Sequence, residues 1–184
     1  MEDKRYEEWM KNSEGIIYME MLLGNRAQGL GLLDIELIEE YPKIDFKSSL
    51  EKDLLKKLRY ITLSELWVMG AYELIMVISD ITSKKKDKID VGIIDKIKET
   101  LKLFLEVRIP LTKFKKSGQD RLFSGVPTKC EFDEKKGLGW KIVSSYKKKF
   151  ETKIFYRKDL ADSLLEMFKT ITRDIRAREK SARN

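Results

Sequence analysis

Apolar residues recur every three to four positions over most of the first 110 residues, which is the spacing of one helix face. The same spacing returns near the end of the chain. Two prolines interrupt the pattern, because Pro42 stops one helix and Pro110 ends or kinks another. Asp90 is a suitable N-terminal cap for the helix that reaches Pro110. The helical segments predicted in this way are residues 2–12, 14–41, 91–109 and 159–178.

Two capping boxes predict helix starts between residues 42 and 90. Ser48-x-x-Glu51 and Thr62-x-x-Glu65 each place a hydroxyl before a carboxylate at the spacing that lets both side chains satisfy free backbone N–H groups. The second box opens the most apolar stretch of the chain, SELWVMGAYELIMVISD. We therefore expect Glu65 to cap a helix start.

That apolar stretch approaches the ~20 residues that a membrane-spanning helix needs. It contains Glu65, Glu73 and Asp80, however, and acidic residues are costly inside a bilayer. We predict a buried core helix and no association with a membrane.

After Phe114 the pattern changes from helical spacing to alternation of apolar and polar residues. Residues 128–133 and 139–144 flank a turn that contains Gly137, and residues 150–156 alternate in the same way. The sequence therefore predicts a mainly α protein, with a bundle of four to five helices and a small antiparallel β-hairpin or three-stranded element near the C-terminal end.

We expect residues 1–184 to form a single domain with three parts. The expected parts are a helical bundle (1–114), a basic loop and β-hairpin appendage (115–158), and a closing helix with a basic tail (159–184).

Composition excludes several kinds of chemistry. The chain has no histidine and only one cysteine, Cys130, which removes Ser-His and Cys-His dyads, an intramolecular disulfide and any cysteine-based zinc site. The N-terminal sequence MEDKRYEEW is charged and does not resemble a signal peptide. These features favour a cytoplasmic protein.

The net charge of +7 is unevenly distributed. Residues 110–184 hold 20 Lys/Arg and 10 Asp/Glu, whereas residues 1–109 hold 18 and 21. Such a basic segment suits nucleic acid or an acidic protein, because lysines contact phosphates and interleaved aromatic rings stack on bases. The predicted contact residues are Lys113, Lys115, Lys116, Arg121, Trp140, Lys141, Lys147, Lys148, Lys149, Lys153, Arg157 and Lys158.

A second candidate is a buried polar cluster of Glu65, Tyr72, Glu73 and Arg108. It is either a carboxylate pocket or a structural ion pair, in which Glu73 binds Arg59 or Arg108, because a buried carboxylate needs a partner.

Other motifs carry weaker indications. The segment GNRAQGLG (24–31) has the glycine spacing of a P-loop but lacks the lysine that reaches the phosphates, so we expect close helix packing there. We predict no cofactor and no bound metal. The oxygen ligands that would serve a magnesium-dependent alternative are Asp34, Glu36, Glu39 and Glu40, or Glu131 and Asp133 with Lys135.

Three short motifs carry a family resemblance. They are Glu65-Leu66-Trp67-x-x-Gly70-Ala71-Tyr72-Glu73, Arg108-x-Pro110-Leu111-x-Lys113-Phe114, and a later Gly-Trp strand. Over residues 60–165 the chain resembles a group of small uncharacterised bacterial helical proteins. The resemblance implies a helical fold and no particular activity.

The leading interpretation is a non-catalytic cytoplasmic protein that binds nucleic acid or an acidic protein through its basic C-terminal face. One alternative is an enzyme, a nuclease or phosphotransfer protein that uses magnesium and carboxylates alone. Another is a structural subunit that buries an apolar helix face in a homodimer.

Overall fold

A computed structural model of the protein describes residues 2–84, 89–112, 126–146 and 149–183, and it confirms the predicted mainly α architecture. These ranges form five α-helices, a short 3-10 turn and a three-stranded antiparallel sheet near the C-terminal end. The elements are α1 (Glu2–Met19), α2 (Met21–Glu40), the 3-10 turn Tyr41–Lys43, α3 (Glu51–Lys84), α4 (Val91–Thr112), β1 (Val126–Asp133), β2 (Gly137–Tyr146), β3 (Lys149–Tyr156) and α5 (Arg157–Arg183).

The first two helices are separated at Glu20, whose backbone is extended (φ −163°, ψ 126°). The glycine-rich segment lies inside α2 and serves packing, as the sequence indicated. A Cβ on Gly31 would lie 2.6 Å from the Trp9 ring of α1, and one on Gly24 would overlap Ile17. The absence of side chains at these two positions therefore lets α1 and α2 approach closely.

The expected helix start at Thr62 is wrong, because α3 is one continuous helix of 34 residues. Thr62 and Glu65 lie in its middle, where the backbone N–H groups already bond within the helix. The earlier box is also not formed as expected. The helix begins at Glu51, and the Ser48 hydroxyl accepts from Leu50 N–H (3.2 Å) and donates to Asp53 (2.5 Å).

Helix α3 is long and apolar enough to cross a membrane. Core helices of soluble proteins also meet this criterion of length and composition. From Tyr60 to Thr82 it buries ten residues against the other elements.

Helix α4 begins as predicted, since Asp90 Oδ1 accepts a hydrogen bond from Gly92 N–H at 2.7 Å. It continues past Pro110 and ends at Thr112.

The sheet has the strand order β1-β2-β3, and its two faces differ. On β2, Leu138, Trp140 and Ile142 point to one side and are buried against the helices. On the opposite side, Lys141 pairs in register with Lys129 of β1 and with Ile154 of β3. We call this second side the outer face.

Candidate nucleic-acid interface

Seven of the twelve predicted contact residues have side chains outside the described part of the chain, so the structure gives no position for them. They are Lys113, Lys115, Lys116, Arg121, Lys147, Lys148 and Lys149.

Two others lie in the core and not on the surface, which corrects their assignment as contacts. Trp140 is 1% exposed and lies on the inner face of the sheet, where it is the cross-strand neighbour of Cys130 and Phe155. Arg157 is 2% exposed at the junction of β3 and α5. Neither side chain is accessible to a macromolecular ligand in this arrangement.

Arg157 belongs to a buried ion cluster centred on Asp34, which is 0% exposed. Arg157 Nη1 bonds Asp34 Oδ1. Arg5 Nε donates to Oδ2 at 2.6 Å, and Trp9 Nε1 donates to the same oxygen at 3.0 Å. The cluster joins α1, α2 and the start of α5, elements far apart in the sequence.

The two arginines of the cluster, Arg5 and Arg157, carry one more charge than Asp34 neutralises. Burial disfavours the Arg5 cation, but Asp34 and the more exposed Asp162 (2.8 Å from Arg5 Nη1) outweigh it and raise the pKa of Arg5. Within the described residues, Arg157 Nε and Arg5 Nη2 are buried without a hydrogen-bond partner. The Arg157 guanidinium also lies 5.7 Å from the Trp67 ring, a stabilising cation–π contact.

The sequence did not predict this cluster and instead indicated Asp34 as a magnesium ligand. The structure contradicts that role, because both carboxylate oxygens of Asp34 bind arginine or tryptophan. Glu36 and Glu40 instead lie 3.3 and 3.9 Å from Arg59. Among the described residues, no three acidic or cysteine side chains come together as a metal site would require.

The lysines that remain from the predicted set lie on or beside the sheet. Lys141 is on the outer face, directly opposite Lys129. Lys153 lies 3.6 Å from Glu106 of α4, and the partly buried Lys158 is in the first turn of α5.

Tyr156 completes the outer face. It is the cross-strand neighbour of Gly139, and a Cβ at that glycine would lie 2.7 Å from Tyr156 Cδ1, so the ring rests on the β2 backbone. Lys136 Nζ lies 5.0 Å from the ring centroid and 2.8 Å from Asp159. The hydrogen bond to Asp159 raises the pKa of Lys136. An aromatic ring with neighbouring cations is thus held on a sheet surface.

The turn beside this surface has a structural explanation. Asp133 Oδ1 accepts hydrogen bonds of 2.9 Å from the backbone N–H groups of Lys135 and Lys136, which lower the pKa of Asp133. Gly137 follows with a φ of +75°, a conformation that glycine adopts most easily. A hairpin turn therefore accounts for Asp133 and Lys135, while Glu131 lies in β1 opposite Gly139.

The predicted polar cluster divides into two places. Arg108 lies over the Tyr72 ring at 4.5 Å and 3.4 Å from Glu73, so the expected Glu73–Arg108 pair is present. It is not buried as expected, because the Glu73 side chain is 62% exposed.

Glu65 lies apart from that pair, near the inner face of the sheet. Burial raises the pKa of Glu65, and the Trp140 indole N–H partly opposes this effect without reaching hydrogen-bond geometry. Burial, and then the Glu65 charge, raise the pKa of the Cys130 thiol. A protonated thiol is a poor nucleophile, so this cysteine is not activated.

A groove of about 670 Å³ lies between α1 and α5. Its rim carries charges of both signs, and some are paired within the protein, as Lys169 is with Glu166 at 3.1 Å and Arg176 is with Glu14. This balance favours no class of ligand.

No family model, no curated protein and no solved structure matches this chain. The resemblance over residues 60–165 therefore stays a prediction, and function is inferred from side-chain geometry.

Proposed function

We propose that the protein is a non-catalytic binding protein whose outer sheet face contacts single-stranded nucleic acid. The observation that supports this proposal best is the Tyr156 ring resting on Gly139, with Lys136 5.0 Å from the ring and with Lys141 and Lys129 in the neighbouring row of the same face. Glu131, opposite Gly139, places one negative charge in the row of Tyr156. Single-strand binding surfaces combine rings on which bases stack with cations that follow the phosphates. A sheet presents both groups on one flat side.

The arrangement suits nucleic acid better than an acidic protein because of the aromatic ring. Lysines alone attract any polyanion, but stacking on Tyr156 requires a planar base. Lys136 covers the ring in the free protein at 5.0 Å, so a base would displace this exposed lysine toward a phosphate. The excess of Lys/Arg over Asp/Glu in residues 110–184, 20 against 10, adds long-range attraction to the same region.

Fluorescence anisotropy with labelled single-stranded RNA and DNA oligonucleotides, at about 50 and about 300 mM salt, tests the proposal. We expect binding that weakens steeply with salt. Replacing Lys129→Gln should reduce affinity and lower the salt slope by about 0.7, the value for one single-strand phosphate contact. Tyr156→Leu should weaken binding by about tenfold, with little change in salt slope. Lys102→Gln, an exposed lysine on α4, is the matched control.

Two results would overturn this function. One is no binding at low salt, and the other is equal binding by the Lys129→Gln and Lys102→Gln variants. Binding of labelled polyglutamate that is unaffected by Tyr156→Leu, without oligonucleotide binding, would indicate an acidic protein partner instead. Shortening of the oligonucleotide in Mg²⁺, prevented by EDTA, would support the nuclease alternative.

A further inference from the structure

The start of α3 extends beyond the helical core. The helix begins at Glu51, but its first buried residue is Tyr60. At 1.5 Å per residue, about 13 Å of helix precedes the core. The segment is nevertheless fixed in place, since Ser48 bonds Asp53 and Lys57 Nζ donates to the Ser48 carbonyl.

This extension carries leucines whose side chains are largely exposed. Leu54, Leu55 and Leu58 are 50, 62 and 52% exposed, and the preceding Leu50 is 58% exposed. Single exposed leucines are normal on protein surfaces, whereas a contiguous row indicates an interaction surface. Positions 54 and 55 precede position 58 by four and three residues, so all three leucines lie on one side of the helix.

Charges around the leucines form a self-complementary pattern. Glu51, Leu55 and Arg59 are spaced by four residues and lie in one row along the helix. If a second α3 lay antiparallel across this row, with a two-fold axis at Leu55, each Glu51 would face Arg59 of the other copy. Two-fold interfaces are self-complementary in this way. Arg59 lies 3.3 Å from Glu36 and 3.9 Å from Glu40, but its side chain is 63% exposed, so the partner's Glu51 would compete with these two surface carboxylates.

We propose that two copies of this chain form a dimer by antiparallel pairing of residues 51–59 of α3. Stable interfaces bury roughly 800 Å² per partner, more than a few leucines supply, so the dissociation constant is expected to be on the order of micromolar. This dimer does not depend on the proposed nucleic-acid binding.

Sedimentation velocity between about 1 and about 200 µM protein measures the association directly. The wild type should shift from monomer to dimer across this range. Leu55→Glu should raise the dissociation constant by at least tenfold, because it places two carboxylates together at the two-fold axis. Leu22→Glu changes a comparably exposed leucine of α2 (63%) and should dimerise as the wild type does. Circular dichroism and melting curves check that both variants remain folded.

Charge reversal distinguishes this geometry from other contacts. Glu51→Arg and Arg59→Glu should each weaken the dimer, and the double variant should recover it, because the opposite charges again face each other. In a Cys130→Ala background, Leu55→Cys should form a disulfide-linked dimer on mild oxidation and Leu22→Cys should not. A wild type that is monomeric at about 200 µM would overturn the proposal, as would a dimer that Leu55→Glu leaves intact or a double reversal without recovery.

Discussion

Asp34 and Glu73 each lie beside an arginine and an aromatic ring, yet they differ in exposure. The Asp34 side chain is 0% exposed and binds Arg5, Arg157 and Trp9. The Glu73 side chain is 62% exposed, and Arg108, which lies over the Tyr72 ring, is 3.4 Å from it. A carboxylate, an arginine and an aromatic ring thus form a buried cluster between helices in one region and a surface contact in the other.

Solvent explains why the two sites should contribute differently to stability. A carboxylate loses its hydration on burial, so every hydrogen bond that it makes inside the protein replaces one to water. Removing a buried partner leaves the opposite charge without compensation. Removing an exposed one lets water take its place, and the measured cost is small.

The largest expected effect is at the buried site. Asp34→Asn keeps the shape of the side chain but leaves Arg157 buried without a counter-charge, and leaves Arg5 with only the exposed Asp162. We expect the free energy of unfolding to fall by about 3 to 5 kcal/mol, measured by urea denaturation at pH 7.

Asp162→Asn is the matched control, because Asp162 also binds Arg5 but is 51% exposed. Its cost should stay below about 1 kcal/mol. An Asp34→Asn variant as stable as the Asp162→Asn variant would show that the buried cluster does not hold α1, α2 and α5 together.

The buried site was only partly predictable from sequence. Asp34 follows Ala27 and Gly31 and precedes Leu37 at helical spacing, so the pattern indicates a carboxylate on the apolar side of α2. Its partner Arg157 is 123 positions away, and no periodicity encodes such a pairing. The helices and strands were predictable because their spacing is local.

The environment of side chains in the sheet was likewise only partly predictable from the sequence. Alternation predicts that Trp140 and Lys141 point to opposite sides, but not which side meets the helices. That choice buries Trp140 and places Tyr156 on the outer face, through a register with Gly139 that only the folded chain defines. For Glu65, the capping pattern was misleading, because the same residue types also occur inside continuous helices.

A smaller effect on stability is expected at Glu65, whose exposure is intermediate between those of Asp34 and Glu73. Burial raises its pKa above the unfolded value, so its ionisation in the folded state lowers stability as the pH rises through that range. Glu65→Gln removes this penalty and keeps a polar side chain of nearly the same size beside Trp140. We expect a gain below about 1 kcal/mol at pH 7, because the group is partly solvated.

The pH dependence identifies the cause of that gain. Below the unfolded pKa, about 4.3, glutamate is neutral in both states, so the gain from Glu65→Gln should disappear. Urea denaturation of both proteins between about pH 4 and about pH 7.5 measures this difference. A gain that is the same at every pH would mean that altered packing, and not charge, is responsible.

The smallest effect is expected at Glu73. Glu73→Gln removes the charge partner of Arg108, but the guanidinium keeps its position over Tyr72 and gains water on its exposed side. We expect a loss of at most about 0.5 kcal/mol, which should decrease further at about 1 M salt because salt screens exposed charges. Urea denaturation at low and high salt measures both values. If Glu73→Gln cost as much as Asp34→Asn, exposure would not explain the contrast between the two sites, and Glu73 would have to form contacts beyond Arg108.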